Sequence, residues 1–274
     1  TAAEASVSGT LTAFNSNGFS VGSDIGLNFS GGTYVGWQWQ AGQGSTSSNT
    51  SGSITSTVSV NTTAGFSVVT YTGTGANATV GHGLGVAPKM IIVKGRGNAY
   101  SWPVWHNTFN VSEYIYLNGT FAKLTFSNIW NQLPTSTTIG ISGDVVMNQS
   151  AVTYVAYCWA EIAGFSKFGS YTGNASTDGP FVYTGFRPKF VMIKRTDSTG
   201  SWFMVDTSRN TYNLTDLSLY ANLTDAEGAS ASHCIDILSN GFKCKGVGTN
   251  INASGGTYIY MAFAENPFKN ALAR

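Results

Sequence analysis

One sequence pattern occurs three times in this chain and constrains its fold more than any other feature. The pattern N-x-S-x-x-T-Y, followed by a mostly apolar stretch, begins at Asn28, at Asn148 and at Asn252. Internal self-similarity is the signature of a repeat architecture, in which each copy is one supersecondary unit. The chain is therefore predicted to contain three copies of one unit, the first of them close to residue 1.

Longer matches define where two of these units begin and end. GFSVVTYTG recurs later as GFSKFGSYTG, and GVAPKMIIVKGR recurs as GFRPKFVMIKRT. Each unit then closes with the N-x-S-x-x-T-Y pattern and its apolar stretch. We therefore predict one complete β-module over residues 65–163 and a second over residues 164–274, which includes a C-terminal tail.

The first copy has only its second half. LTAFNSNGFSVGSD begins at Leu11 and matches IDILSNGFKCKGVG, which begins at Ile235. Residues 1–40 are therefore predicted to be the C-terminal half of a first repeat, with unpaired strand edges and an exposed apolar face. A longer parent protein or another chain would complete it, and we favour the longer parent. Residues 41–64 are a linker by composition, in which ITSTVSVN alternates well enough to add a strand.

The fold class follows from the spacing of apolar side chains. In each copy of the apolar stretch, large residues alternate with smaller or polar ones, which predicts a strand with its large-residue face on the core. These residues are Val35, Trp37 and Trp39 in TYVGWQWQ, Val155, Tyr157 and Trp159 in the second copy, and Ile259, Met261 and Phe263 in the third. KMIIVK and KFVMIK are apolar in both phases, so they are predicted to be central strands covered on both sides. We predict an all-β fold of tandem β-sandwich-like modules of about 100 residues, two complete plus one half-repeat.

The composition excludes several classes of partner. The chain has 14 basic and 13 acidic residues, so it offers no positive field for nucleic acid. No apolar run approaches the roughly 20 residues of a membrane-spanning helix, so no membrane insertion is expected. Hydrophobic residues make up 42 % of the chain, which is too many for a disordered protein.

The reactive residues do not predict an enzyme. The 13 acidic residues are scattered, and no Gly-x-Ser-x-Gly sequence is predicted to lie in the strand-to-helix setting of a nucleophile elbow. His233, Cys234 and Asp236 form a local cluster without a second ligand pair, so neither a metal ion nor a cofactor is expected. Cys234 and Cys244 are placed to approach each other across a hairpin, and the sequence leaves open whether they form a disulfide.

The recurring motifs also carry a resemblance. The paired stretches GVAPKMIIVK and GFRPKFVMIK, together with NASGGTYIYMAFAENPF, resemble a repeat domain of unknown function in structural proteins of tailed bacteriophages. Such domains are common in marine phages and often follow laminin-G or concanavalin-like lectin domains. The resemblance covers nearly the whole chain and carries no catalytic residue. It implies a non-enzymatic virion protein of the phage tail or capsid surface, with a tail fibre or another appendage for host attachment as the first expectation.

The resemblance also suggests partners. A fibre protein gains stiffness from symmetric bundling, so we expect self-association, as a homotrimer by analogy, and contacts with other virion proteins. A capsid decoration or head-fibre protein is an alternative assignment.

A carbohydrate-binding receptor module for a host surface glycan is the other alternative. Sugar sites place an aromatic ring against the sugar and surround it with hydrogen-bonding side chains. Trp105 and Trp130 are not repeated between the units, whereas Trp102 is, so Trp102 is also a candidate core residue. The candidate glycan-binding residues are Tyr100, Trp102, Trp105, Asn107 and Trp130.

Overall fold

The computed structural model describes residues 1–266 and consists mainly of short antiparallel strands. The predicted all-β class is confirmed. Within the described part the helices are single turns, and each ends at the asparagine of one copy of the recurring motif. They are α1 (Ile25–Asn28), α2 (Val145–Asn148) and α3 (Thr249–Asn252). The predicted C-terminal tail lies mostly in residues 267–274, outside the described residues.

The N-terminal segment, residues 1–40, contains a hairpin of β1 (Leu11–Asn15) and β2 (Gly18–Val21), followed by α1. Residues 33–40, TYVGWQWQ, form no strand, so the regular strand expected there is absent. A strand needs a ladder of hydrogen bonds to a neighbour, and no backbone ladder pairs with this stretch inside residues 1–266. Its alternation persists, since Val35, Trp37 and Trp39 are half-buried between exposed residues.

The first sheet pair consists of an eight-stranded and a two-stranded sheet. Their orders are β10-β9-β8-β7-β12-β5-β4-β3 and β11-β6. The strands are β3 (Ser47–Asn49), β4 (Ser56–Asn61), β5 (Phe66–Thr72), β6 (Ala78–Gly81), β7 (Met90–Gly95), β8 (Pro103–His106), β9 (Glu113–Tyr116), β10 (Leu124–Thr125), β11 (Thr138–Ile141) and β12 (Thr153–Trp159).

The second sheet pair consists of a six-stranded sheet, β13-β21-β15-β16-β17-β18, and a three-stranded sheet, β14-β20-β19. Read from the other edge, its larger sheet has the order β17-β16-β15-β21-β13, which parallels β9-β8-β7-β12-β5. The strands are β13 (Ser166–Thr172), β14 (Phe181–Tyr183), β15 (Pro188–Arg195), β16 (Phe203–Asp206), β17 (Leu217–Tyr220), β18 (Gly228–Ala229), β19 (Ile235–Leu238), β20 (Gly241–Cys244) and β21 (Thr257–Ala264).

The central strands were predicted correctly. KMIIVK lies in β7, which is paired on both edges and buried at every position, and KFVMIK lies in β15, between β21 and β16. The predicted core face of β12 needs a correction. Tyr154, Ala156 and Cys158 are fully buried inside the first sheet pair, whereas Val155 and Tyr157 are half-buried on the opposite side.

The reason is that the two sheet pairs pack against each other. One side of β21, formed by Ile259, Met261 and Phe263, belongs to the same continuous core as Met90 and Trp159 of the first sheet pair. The other side of β21 belongs to a second core with the three-stranded sheet. One face of a strand can therefore serve the contact between sheet pairs while its opposite face serves the interior of its own pair.

The three cysteines, Cys158, Cys234 and Cys244, are buried free thiols, so the open question of a Cys234–Cys244 disulfide is answered in the negative. Burial raises the pKa of the Cys244 thiol to about 12. Over residues 1–266 no group of three or more His, Cys, Asp or Glu side chains is arranged to hold a metal ion. In the same part of the chain, no helix has the length and apolar character needed to cross a membrane.

Candidate functional site

A cleft of about 1120 Å³ lies along the N-terminal segment, where this segment meets both sheet pairs. Residues 34–40 form one wall. The other walls come from residues 61–66 and 162–165 beside the first sheet pair, and from β15, β16 and β21 of the second. The aromatic side chains in its lining are Tyr34, Trp37, Trp39, Phe66, Phe165, Phe190 and Phe263.

Trp39 joins the three parts of the molecule at this cleft. Its ring centroid lies 6.1 Å from that of Trp159 in the first sheet pair and 5.4 Å from that of Phe263 in the second, both in edge-to-face geometry. Each of these three residues stands five positions after the tyrosine of its copy of the recurring motif. Edge-to-face pairs are favourable because the positive ring edge meets the negative ring face. The three motif copies therefore converge on one aromatic centre.

Trp37 makes the polar contact between the N-terminal segment and the second sheet pair. Its indole Nε1 donates to Asp206 Oδ2 at 3.1 Å, and the Arg209 guanidinium lies 5.7 Å from the centre of its ring. Arg209 Nε donates to the same carboxylate oxygen at 2.8 Å. A cation above an indole face is attracted by the ring quadrupole. Trp37 is thus held by a hydrogen bond at its edge and a cation at its face.

The Asp206 carboxylate is fully engaged in these contacts. Its Oδ1 accepts from the backbone amides of Ser208 and Arg209 at 3.0 and 3.1 Å. Burial raises the pKa of Asp206, but the hydrogen bonds and charge of Arg209 outweigh this and hold the pKa below its ordinary value. A carboxylate that is ionised and accepts four hydrogen bonds has no lone pair left for proton transfer. Asp206 is therefore a structural group that positions Trp37 and Arg209.

The sequence-predicted glycan residues lie elsewhere and do not share one surface. The expected exposure of Trp105 and Trp130 is wrong, because the two rings are only 6 % and 2 % exposed and belong to the core. Trp102 and Asn107 are half-buried, and Tyr100 alone is well exposed. Lack of repetition between units did not indicate a surface position.

The cleft residues were not recognised as a site from the sequence. Trp37 and Trp39 were assigned to a strand face on the core, and Asp206 and Arg209 lie far from them in the sequence. The available signal was the recurring motif itself, since Trp39, Trp159 and Phe263 stand at the same position of its three copies.

The fold and cleft define an all-β protein with two packed sheet pairs and an aromatic cleft beside the N-terminal segment. A family model described as a domain of unknown function, DUF7483, matches residues 1–267, and the chain belongs to this family. Searches of curated proteins and of solved structures gave no match.

Proposed function

We propose that the chain is a non-enzymatic structural protein of a bacteriophage virion, in a tail fibre or another surface appendage involved in host attachment. The observation that carries this proposal is the single apolar core that runs from the first sheet pair into the second and includes Trp37 and Trp39 at its margin. Such packing gives a stiff body instead of modules that move independently. The resemblance of the recurring motifs to phage structural domains supports the same assignment.

We further propose that the two sheet pairs are two copies of one module and that the N-terminal segment is half of a third. The matching strand orders support this, as does the placement of α1, α2 and α3 at the same point of the recurring motif. Equivalent hydrogen bonds also support it. Trp102 N donates to Asn118 Oδ1 and Trp202 N donates to Asn222 Oδ1, each at 2.8 Å.

In this proposal the role of the chain is structural. A weakly charged β-structure whose sheet pairs share one apolar core projects an attached binding element away from the particle. Self-association, as a homotrimer by analogy with fibres, and attachment to other virion proteins are part of the proposal.

Labelling of intact particles tests the location. Antibodies against the purified chain, visualised with immunogold on phages that encode this family, are expected to mark the tail. Label on the head instead would favour the capsid decoration assignment. Particles that carry no label at all, although the antibody recognises the purified chain, would contradict a virion location.

Glycan binding at the cleft is a second candidate function. It is favoured by the exposure of Tyr34, which is 52 % accessible, beside the half-buried Trp37 and the hydrogen-bonding groups of Gln38 and Gln40. A glycan array is expected to show binding that Trp37→Ala abolishes and that Phe121→Ala, at an exposed side chain outside the cleft lining, leaves unchanged. An array without any bound glycan would contradict this function and leave the structural one untouched.

A further inference from the structure

The N-terminal segment keeps side chains at its surface that are fully buried at the matching positions of both sheet pairs. Tyr34 is 52 % exposed, whereas Tyr154 and Tyr258, the tyrosines of the other two motif copies, are 0 % exposed. Exposed large apolar side chains in a cluster mark an interaction surface. The same contrast holds for exposed Phe19 and Leu27 against their buried counterparts Ile139, Phe242, Met147 and Ile251.

In the first sheet pair, β5 provides the cover. Tyr71 of β5 stacks on Tyr154 with ring centroids 5.2 Å apart and planes within 11°. Its hydroxyl donates to the Met147 carbonyl at 2.6 Å, at the third position of α2. The strand β5 therefore covers both the Tyr154 ring and the helical turn α2 beside it.

In the second sheet pair, β13 provides the same cover. Tyr171 stacks on Tyr258 with centroids 4.9 Å apart and planes within 13°, and its hydroxyl donates to the Ile251 carbonyl at 2.7 Å. Ile251 is again the third position of its helical turn. The two strands thus make the same pair of contacts.

Both covering strands lead into the sequence Tyr-Thr-Gly. In each copy the atoms around the glycine leave no room for a side chain. Gly73 N donates to Val152 O at 2.8 Å, and Gly173 N donates to Gly256 O at 2.8 Å. A Cβ atom on either glycine would collide with a backbone carbonyl of the motif it covers. Tyr-Thr-Gly is therefore a recognition sequence for the N-x-S-x-x-T-Y motif.

The N-terminal segment already has the receiving geometry. Tyr34 OH donates to Ile25 O at 3.1 Å and accepts from Phe29 N at 2.9 Å. Tyr154 OH makes the matching pair of bonds with Val145 O and Gln149 N, at 2.6 and 2.8 Å. The surface that a covering strand would contact is thus formed. Residues 33–40 have no strand paired along them within the described chain.

The N-terminal segment also occupies the position of a complete unit. Glu4 N donates to Arg96 O of the first sheet pair at 2.7 Å, and Lys123 N donates to Thr196 O of the second at 2.8 Å. Arg96 and Thr196 are matching positions after the central strands β7 and β15. The N-terminal segment therefore contacts the first sheet pair at the position where the first sheet pair contacts the second. Together with the shared centre at Trp39, this equivalence places the segment as the third member of a ring around the aromatic centre.

We propose that a β-strand ending in Tyr-Thr-Gly, from a polypeptide outside residues 1–266, adds to the edge of residues 33–40. Its tyrosine stacks on Tyr34 and donates to the Leu27 carbonyl, while backbone hydrogen bonds supply affinity, as in other strand-addition complexes. The occupant is the front half of a further module. This inference rests on the repeat relation proposed above.

A second copy of this chain is not the occupant. Its two suitable strands, β5 and β13, are each paired with their own closing strand over seven residues, in β12 and β21. A second copy that donated β5 or β13 would lose one of these ladders and expose the apolar core beneath it. The cleft along residues 34–40 leaves space for the added strand.

The first test titrates the 274-residue chain with a synthetic peptide, GFSKFGSYTG, that has the sequence of residues 164–173. We expect saturable binding and slowed hydrogen exchange at the amides of residues 33–40. A peptide with Ala in place of its Tyr should bind at least about tenfold more weakly, because both the stacking and the hydroxyl bond are lost. Equal binding of the two peptides, or slowed exchange elsewhere only, would overturn the proposal.

A second test removes dependence on the affinity of a short peptide. The donor sequence is fused ahead of Thr1 through a flexible linker, which raises its effective concentration to the millimolar range. Gln38 is exposed, so Gln38→Pro should abolish the protection of residues 33–40 by removing an edge amide, while Gln38→Ala keeps it. No protection in the fusion would overturn the proposal, as would a dimer of the unfused chain with these amides already protected. Both results concern strand addition alone, so they leave the proposed virion location, which immunogold labelling tests, unaffected.

Discussion

The indole Nε1 of Trp202 donates a hydrogen bond to the backbone carbonyl of Tyr116 at 2.9 Å, which joins the second sheet pair to the first. Trp202 is 2 % exposed, so this bond is made away from water. The matching residue of the first sheet pair, Trp102, is half-buried, and no such bond to its indole is found within residues 1–266.

Replacement of the two tryptophans should therefore have unequal effects. Trp202→Phe removes this bond, leaves the Tyr116 carbonyl only the weaker 3.4 Å contact from Gly119 N, and removes part of a packed ring. It should therefore lower the free energy of unfolding by about 2 kcal/mol more than Trp102→Phe. Urea denaturation of both variants measures the difference. Equal losses would show that the bond between the sheet pairs adds nothing to stability.

Trp39→Ala should destabilise the whole described fold. The ring contacts Trp159, Phe190 and Phe263, so its removal opens a gap where three parts of the chain meet. Because Trp39 is half-buried, we expect a loss of about 2 to 3 kcal/mol, somewhat below that of a fully buried tryptophan. Tyr212→Ala, at a side chain that is 85 % exposed, is the control and should stay within about 0.5 kcal/mol of the parent. Thermal unfolding of Trp39→Ala at the parent temperature would contradict the shared centre.

His106 should make stability depend on pH. Burial lowers the pKa of His106 to about 4, although its hydrogen bond to the Tyr260 carbonyl at 3.3 Å acts to raise it. A carbonyl only accepts, so Nε2 carries the proton of the neutral ring. Since the folded pKa lies below the ordinary value of 6.5, the unfolded chain binds the extra proton first, and stability is lost as pH falls from 6.5 to about 4.

The size of this effect is about 3 kcal/mol, from about 1.4 kcal/mol per pH unit over that interval. His106→Gln keeps a donor for Tyr260 and cannot be protonated, so the difference from the parent should shrink as pH falls. Urea unfolding between pH 7 and 4 measures both proteins. Parallel curves would mean that His106 does not carry the dependence.

Asn148 and Asn28 hold the same position of the recurring motif, and their replacement should have unequal effects. Asn148 Oδ1 accepts from Thr74 N at 2.8 Å and its Nδ2 donates to Ala76 O at 2.5 Å, both in the segment that follows β5. Asn28 is exposed, with its Nδ2 donating to Gly22 O at 2.7 Å. Asn148→Ala should cost about 3 kcal/mol and Asn28→Ala less than about 1 kcal/mol, as chemical denaturation would measure. A large cost at Asn28 would mean that its site is already covered.

Part of the fold was predictable because it depends on short-range patterns. KMIIVK is apolar in both phases, and a strand of that kind has to lie between neighbours and between layers. The SNG stretch at Ser239 separates β19 from β20 as expected, since Asn and Gly adopt turn conformations readily.

The rest depends on contacts between distant parts of the chain. The face of β12 with Val155 and Tyr157 is large and apolar, but whether it lies inside the first sheet pair or on its outer side depends on which distant parts of the chain pack over it. Trp130 stands in the largely polar stretch SNIWNQ and is nevertheless buried. For the cleft, Trp37 meets Asp206 across 169 positions of sequence, which local patterns do not encode.

The two-sided burial of β21 has an evolutionary consequence. Ile259, Met261 and Phe263 are covered by the other sheet pair, so loss of that pair through recombination would place a hydrophobic wall in water. A recombinant that lost the first sheet pair would therefore have to replace these three apolar side chains by polar ones to stay stable in water.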